Sequence, residues 1–371
     1  MAEQTGNHEN GAFERAVRTA AESGTDKPAV SNTKSNKQTP VVDEKPTDSP
    51  NLLSMYRRMV LCRALDERIW MLNRQGKAAI MASSQGHAAG QIGSVEARKK
   101  GYDQFYIYYR DLAVLLELGL TPTEIIKGFV AKEGEPLSGA RQFPTHGAHP
   151  EYGIINLSNV VATHIPQGVG AALSAKMKGE DRVVIIYFGD GASSAGDCHE
   201  AMNFAAIHKL PVIFFCENNK YAISVPLKNQ MAVDSVASRA EGYGMPGIEI
   251  DGCDITAVYE ATFEAAQRAR SGQGPSLIEA QVERYLPHTS DDDDSIYRPP
   301  EEIEEAKKRD PLQMLKDLLY SSDTLDGEQE DLINKDARQI VNEATEEAEN
   351  APYPATNDFY KHVVGDNPAC P

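Results

Sequence analysis

Large apolar side chains are sparse through the first 50 or so residues and then recur at helical spacing. The run from Leu52, LLSMYRRMVLCRALDERIWMLNRQG, places them on one face and stops at Gly76, which predicts a long first helix. A second helix is expected over His87 to Lys99. Thr121-Pro122-Thr123-Glu124 supplies a cap, a proline at the first helical position and an acid three residues after the cap, so another helix starts there. The pattern changes at Val183–Phe188, a run of apolar residues without alternation, as in a strand buried on both faces. Gly189-Asp190-Gly191 turns the chain, an amphipathic helix follows over about Asp197 to Lys209, and PVIFFC is a second unalternated strand. A helix near Asp254 to Arg270 and a strand near Ser276 to Val282 continue the alternation. Strand–helix–strand units of this kind predict an α/β fold, a parallel sheet flanked by helices. The segment PPEEIEEAKKRDPLQMLKDLLY and the Glu-rich stretch after it read as two surface helices. The expected organisation is a tail over 1–50, an α/β domain over 51–320 and a helical extension over 321–371.

Composition narrows the partners. With 37 Lys and Arg against 55 Asp and Glu, the net charge is −18, which argues against nucleic acid because a phosphate backbone needs a basic face. Hydrophobic residues at 41% and charged residues at 25% are ordinary for a globular domain. Residues 1 to about 50, rich in Ser, Thr, Asn, Lys, Glu and Pro, cannot bury enough apolar surface to offset their ordering entropy, so disorder is expected there. No apolar stretch reaches the ~18 residues of a membrane span, and the start has neither a secretory apolar core nor a transit-peptide character. The five cysteines (Cys62, Cys198, Cys216, Cys253, Cys370) share no CxxC spacing and read as reduced thiols. A cytoplasmic protein without membrane contact is expected.

Ligands of parallel sheets collect at the carboxyl ends of the strands. Asp190 stands just past the first central strand, and Asn218 and Asn219 just past the next. If those strands are close, a carboxylate and an amide oxygen meet, and hard oxygens of that kind suit magnesium, which takes its other ligands from phosphate and water. Gly189 and Gly191 let backbone approach an anion, and the helix that follows offers its amino end. The residues alone thus suggest a magnesium-diphosphate site. Rival readings exist for each: turn residues for Asp190 and Asn219, a surface ion pair for Arg110, solvated loop or structural roles for His288, His146 and His164. Cys198-His199 has no partner pair at metal-ligand spacing.

Glycine-aspartate-glycine followed, after one helix and one strand, by paired asparagines resembles the cofactor motif of thiamine diphosphate enzymes. The stretches YYRD (Tyr108–Asp111), GARQFPTHG (Gly139–Gly147), FGDGASSAGDCHEAMNFAA from Phe188, ENNKYAIS (Glu217–Ser224) and PHTSDDDDSIYR (Pro287–Arg298) extend the resemblance to alpha subunits of 2-oxoacid dehydrogenase complexes, over roughly residues 52 to 320. The resemblance implies the thiamine diphosphate-binding fold with helical extensions, and roles residue by residue. Asp190, Asn219 and the backbone carbonyl of Tyr221 would hold Mg2+. Tyr109 and Arg110 would contact the diphosphate, with backbone donors from Gly191 and Ala192. Asn159 and Val161 would face the aminopyrimidine, His288 the diphosphate and the reacting carbon, and His146 the active site as a second histidine. Ser158, Thr163 and His164 fall where branched-chain members bind K+.

The same resemblance implies a separate beta subunit in an α2β2 heterotetramer, because the second α/β domain that carries the activating glutamate is not found in this chain. It also implies transfer of the acyl group to a lipoyl-bearing acyltransferase. The acidic loop with RPPEE after it most resembles branched-chain members acting on 3-methyl-2-oxobutanoate-type 2-oxoacids. A pyruvate enzyme is the alternative and an acetoin enzyme the next. A non-catalytic cofactor-binding subunit is the reading from a different class. A nicotinamide dehydrogenase is excluded by the lack of GxGxxG after a strand with an acid ~20 residues on. Thr289, Ser290 and Ser295 fall in a loop that is phosphorylated in mammalian relatives, though an acidic loop ordered by cofactor is the preferred reading. Two positions depart from the pattern. Gly86-His87-Ala88-Ala89 stands where many relatives have Gly-x-Glu-Ala, and Glu217 stands where mammalian branched-chain members carry a diphosphate-contacting arginine.

Overall fold

The computed structural model describes residues 50–156 and 159–358, so the expected N-terminal tail, Ser158 and Cys370 lie outside the described residues. Six parallel strands form the central sheet: β1 (Gln104–Tyr106), β2 (Ile154–Asn156), β3 (Val184–Gly189), β4 (Val212–Asn218), β5 (Gly247–Asp251) and β6 (Ser276–Gln281). Their order is β2-β1-β3-β4-β6-β5. The unalternated strands are explained by the two faces. Val183, Ile185, Tyr187, Ile213 and Phe215 enter one apolar core, and Val184, Ile186, Phe188, Val212, Phe214 and Cys216 enter the other. Every residue of β4 is buried.

The helices are α1 (Leu52–Arg74), α2 (Ala88–Glu96), α3 (Leu112–Leu118), α4 (Pro122–Phe129), α5 (His164–Lys178), α6 (Gly196–Ile207), α7 (Ala240–Tyr243), α8 (Ile255–Arg270), α9 (Pro300–Lys307), α10 (Pro311–Ser321) and α11 (Gly327–Asn350). α4 begins with the expected capping box, Thr121 and Glu124 exchanging hydrogen bonds with each other's backbone. Asp254 caps α8, one residue earlier than its first helical turn. α1, α2 and α8 line one core, and α5 and α6 the other.

The C-terminal segment differs from expectation. It forms three helices, and the longest, α11, buries Ile333, Ala337, Val341, Ala344 and Ala348 against α1 and α4. Its apolar positions recur at helical spacing among many acids, so the acidic composition hides a buried stripe. No helix among the described residues is long and apolar enough to cross a membrane.

Candidate active site

The chain runs from β1 to β2 on one side and then to β3 on the other, which makes the gap between β1 and β3 a topological switch point. The segments leaving five strands converge at that end on one cleft of about 290 Å3. Tyr109 and Arg110 arrive after β1, Asn159 and Val161 after β2, and Gly189 to Ala192 at the end of β3. Asn219 and Tyr221 follow β4, and His288 follows β6. All the sequence-predicted cofactor residues therefore line one cleft. β3 and β4 are adjacent, with Gly189 opposite Glu217, which is why Asp190 and Asn219 meet.

Asp190 is 1% exposed and opens a short 3-10 turn. Gln230 Nε2 donates to its Oδ2 at 2.6 Å, and the Asn219 backbone N–H also reaches it. Burial pushes its carboxyl above the usual range despite these bonds. Asn219 Oδ1 accepts from the Tyr221 N–H at 3.2 Å, and the Tyr221 hydroxyl donates away to Glu302 at 2.9 Å, which leaves the tyrosine's backbone for the cleft. Asn218 points the other way, its Nδ2 donating to Glu279 at 2.6 Å, because neighbouring strand residues face opposite sides. Among the described residues no three His, Cys, Asp or Glu side chains could hold a metal together, so a cation here must draw on amide and backbone oxygens. A Cβ on Gly191 would lie 2.7 Å from the Ala222 Cβ, so only glycine lets these two loops close on each other. Gly189 has no such neighbour.

Arg110 is not a surface residue. It is 1% exposed, with Nη1 donating to the Ser83 carbonyl at 2.7 Å and Nη2 to the His288 carbonyl at 3.1 Å, while Nε is buried without a partner. A second buried arginine, Arg284, was not anticipated. Its Nη2 donates to the Ile223 carbonyl at 3.0 Å and to the Tyr297 hydroxyl at 3.1 Å, and its Nε and Nη1 have no partner. Burial and then the neighbouring Arg110 charge pull its guanidinium below the ordinary value. The bonds of both arginines go to carbonyls, an imidazole and a phenol, none to a carboxylate. Arg110, a buried cation that lines the cleft with no carboxylate partner, fits an anion such as a diphosphate, whereas Arg284 does not line the cleft. The one signal for Arg284 in the sequence is a charged residue just past an apolar strand end.

Ile223, which Arg284 holds, has φ 55°, a conformation that is costly for a β-branched side chain. Lys220 (φ 72°) and Ala162 (φ 71°) are strained likewise in the adjoining loops. Strain of this kind persists only where surrounding bonds over-determine the backbone.

His288 Nδ1 accepts from Arg110 Nη2 at 3.3 Å, so the ring hydrogen sits on Nε2. Its backbone N–H donates to Asp292 at 2.9 Å, and Asp292 in turn accepts from the Tyr297 hydroxyl. Burial, Arg110 and Arg284 push the His288 imidazole down to about 3. A folded-state value below the unfolded one means that the unfolded chain takes the proton first as pH falls. His288 therefore contributes stability above about 6.5 that is lost on acidification toward about 3. In urea denaturation without ligand, His288→Gln is expected to flatten the pH dependence in that window, and identical curves would refute the assignment.

The other histidines lie apart from the cleft's centre. His146 does not line it: its Nδ1 donates to the Pro144 carbonyl at 2.8 Å, next to Thr145, which reaches the Tyr109 carbonyl at 3.5 Å. His164 borders the cleft, but its Nε2 donates to the Tyr187 carbonyl at 2.8 Å. Thr163 Oγ1 donates to the Val160 carbonyl at 2.9 Å. In the acidic loop, Ser290 is buried and pairs through its N–H and hydroxyl with the Met81 backbone, whereas Ser295 is exposed.

Glu217, one of the two positions that depart from the family pattern, touches His87, the neighbour of the other, Ala88. Glu217 and His87 are both fully buried, and His87 Nδ1 donates to Glu217 Oε2 at 2.6 Å. Burial raises the Glu217 carboxyl, but hydrogen bonds from His87, Asp111 and Gln91 outweigh it and keep the group ionised. Burial and the Glu217 charge push the Asp111 carboxyl well up, so Asp111 retains its proton. Neither Glu217 nor His87 lines the cleft.

Residues 56–357 match the model of the family described as "Dehydrogenase E1 component". The chain is 47% identical over 311 residues to 2-oxoisovalerate dehydrogenase subunit alpha of Bacillus subtilis (strain 168), covering 84% of this chain and 94% of that protein. It is 38% identical over 330 residues to the human mitochondrial 2-oxoisovalerate dehydrogenase subunit alpha, covering 87% and 74%. It is also 38% identical over 298 residues to 3-methyl-2-oxobutanoate dehydrogenase subunit alpha of Mycobacterium tuberculosis (strain CDC 1551 / Oshkosh), covering 80% and 78%. A match over this much of the chain, on the fold and cleft just described, shows that the chain belongs to the dehydrogenase E1 component family.

Proposed function

We infer that this chain is the alpha subunit of a branched-chain 2-oxoacid dehydrogenase, acting in oxidative decarboxylation of 3-methyl-2-oxobutanoate and its relatives. The observation that carries the reading is one cleft where the buried Arg110 guanidinium, its Nε without a partner, stands beside Asp190 and Asn219. The names of the three relatives support a branched-chain substrate over pyruvate or acetoin. Membership of the E1 component family implies thiamine diphosphate dependence and a beta subunit.

When bound, thiamine diphosphate would supply an acidic thiazolium carbon as nucleophile and a ring able to delocalise the electron pair left by departing carbon dioxide. Tyr109 and Arg110 would contact the diphosphate, with backbone donors at Gly191 and Ala192. Asp190, Asn219 and the Tyr221 carbonyl would hold Mg2+. Neutral His288, with its hydrogen on Nε2, is a donor able to polarise or protonate a developing oxyanion near the reacting carbon. The edge-on contact of its ring with Tyr109, centroids 5.8 Å apart, fixes the ring's tilt.

The proposal extends to K+ near Thr163. Because His164 is committed to the Tyr187 carbonyl, that ion would draw on Thr163 and backbone oxygens. Exchanging potassium for sodium buffer is then expected to weaken the cofactor titration, and an unchanged titration would remove this ion from the proposal.

The partners follow from the family: membership of the E1 component family supports a beta subunit, so we assign an α2β2 heterotetramer with a lipoyl-bearing acyltransferase as acyl acceptor. The purified chain alone is expected to show no decarboxylation of 3-methyl-2-oxobutanoate with Mg2+, thiamine diphosphate and an artificial electron acceptor. Co-expression with its beta subunit restores it. Turnover by the lone chain would overturn the heterotetramer, and faster turnover of pyruvate by the pair would overturn the substrate.

A further inference from the structure

Beneath the cleft, donors from separate elements meet on one buried oxygen. Glu217 Oε2, in β4, accepts from His87 Nδ1 at 2.6 Å, from the Tyr108 hydroxyl at 2.9 Å and from Gln91 Nε2 at 3.1 Å. Gln91 Nε2 also donates to the Arg110 carbonyl at 3.1 Å, and its Oε1 accepts from the Ala113 N–H at 3.1 Å. The Tyr108 N–H donates to Asp111 at 2.8 Å. The turn from Tyr108 to Ala113 is thus gripped from outside at the Tyr108 hydroxyl, the Arg110 carbonyl and the Ala113 N–H. The same turn lines the cleft with Tyr108, Tyr109 and Arg110.

A buried carboxylate contributes little to stability over a well-packed apolar group, so its presence here calls for a use in fixing geometry. The arginine above it needs fixing. In the free cleft the Ser83 and His288 carbonyls hold the Arg110 guanidinium, and Gln91 holds the carbonyl of the same residue. We propose that Glu217, anchored by His87 and acting through Gln91, is a positioning residue that aims Arg110 at the anion bound in the cleft. It does not touch that anion. The proposal rests on the reading above that the cleft takes a diphosphate.

The test is calorimetric titration of thiamine diphosphate, with Mg2+, into the chain co-purified with its beta subunit. Glu217→Gln keeps the shape and removes the charge. It is expected to raise the cofactor Kd about tenfold, the scale of losing a supporting outer contact. The same substitution in an Arg110→Lys background separates positioning from general damage. If Glu217 acts through the Arg110 guanidinium, its effect there shrinks to about twofold or less, as coupled residues require. An unchanged Kd for folded Glu217→Gln, or the same tenfold loss in both backgrounds, overturns the proposal. If Glu217→Gln melts too low to titrate, Gln91→Leu replaces it, cutting the link between Glu217 and the turn at both of its ends, with the same expected loss and coupling. Absence of any binding heat with the unsubstituted complex would instead remove the diphosphate reading and leave the contact network as it stands.

Discussion

Arg110→Ala is expected to weaken thiamine diphosphate binding by about 10²- to 10³-fold, measured by calorimetry on the alpha–beta complex with Mg2+ present. Arg110 is buried, its Nε lacks a partner, and its two terminal nitrogens are already turned by the Ser83 and His288 carbonyls. Charge-assisted hydrogen bonds contribute roughly 1.5–3 kcal/mol each, so losing two donors to phosphate oxygens accounts for a change of this size. Alanine also releases His288, whose Nδ1 and carbonyl both accept from Arg110. Turnover at saturating cofactor is therefore expected to fall as well. Arg110→Lys keeps a charge but not the fork, and its loss is expected to lie between the two. A cofactor Kd within a few-fold of the unsubstituted protein would mean that Arg110 faces no phosphate.

Asp190→Asn is expected to move two measurements in opposite directions. Mg2+-dependent cofactor binding should fall at least on the order of 10²-fold, since even outer partners of metal ligands cost up to that much when removed. The ligand-free protein should melt at a higher temperature. The second effect follows from the sign of the Asp190 shift. Burial raises its carboxyl in the folded state, so the folded protein binds its proton more readily than the unfolded chain does. Ligand-free stability is then lowest at pH above the folded value and rises as pH falls through it toward the ordinary carboxylate value. A neutral amide of the same shape removes this cost and flattens the pH dependence. A variant that melts lower without ligand, or that binds cofactor normally, would show that Asp190 is a turn residue and not a metal ligand. The exchange of ligand-free stability for binding is the kind expected at a functional site.

Several parts of this protein were legible along the chain because their determinants are local. β3 and β4 announce themselves as unalternated apolar runs, since a strand covered on both faces has no solvent side to alternate with. The start of α4 is set within four residues by Thr121, Pro122 and Glu124. The residues expected to bind cofactor could be named from the resemblance of their ordered stretches, and the parallel sheet brings all of them to one cleft.

Other parts were decided by pairing across long separations. β1 and β2 are three residues each, too short for any periodicity, and exist because β1 pairs with β3 and β2 with β1. α11 looks like an acidic surface helix until α1 and α4 cover its narrow apolar stripe. Arg284, Gln230 and the strained Ile223 acquire their places only when β6 and the loop after β4 come together. Asn218 and Asn219, adjacent in sequence, face opposite ways because of where β4 ends. Glu217 gives the clearest division. Its sequence position suggested a residue facing the diphosphate, whereas β4 turns its side chain under the cleft to meet His87 from α2's start, 130 residues away. By itself the chain determined which residue types could bind a magnesium diphosphate and that a parallel sheet would carry them. Tertiary structure decided which of those side chains face the ligand and which hold the others in place, because orientation at a strand's end depends on partners that only non-local pairing supplies.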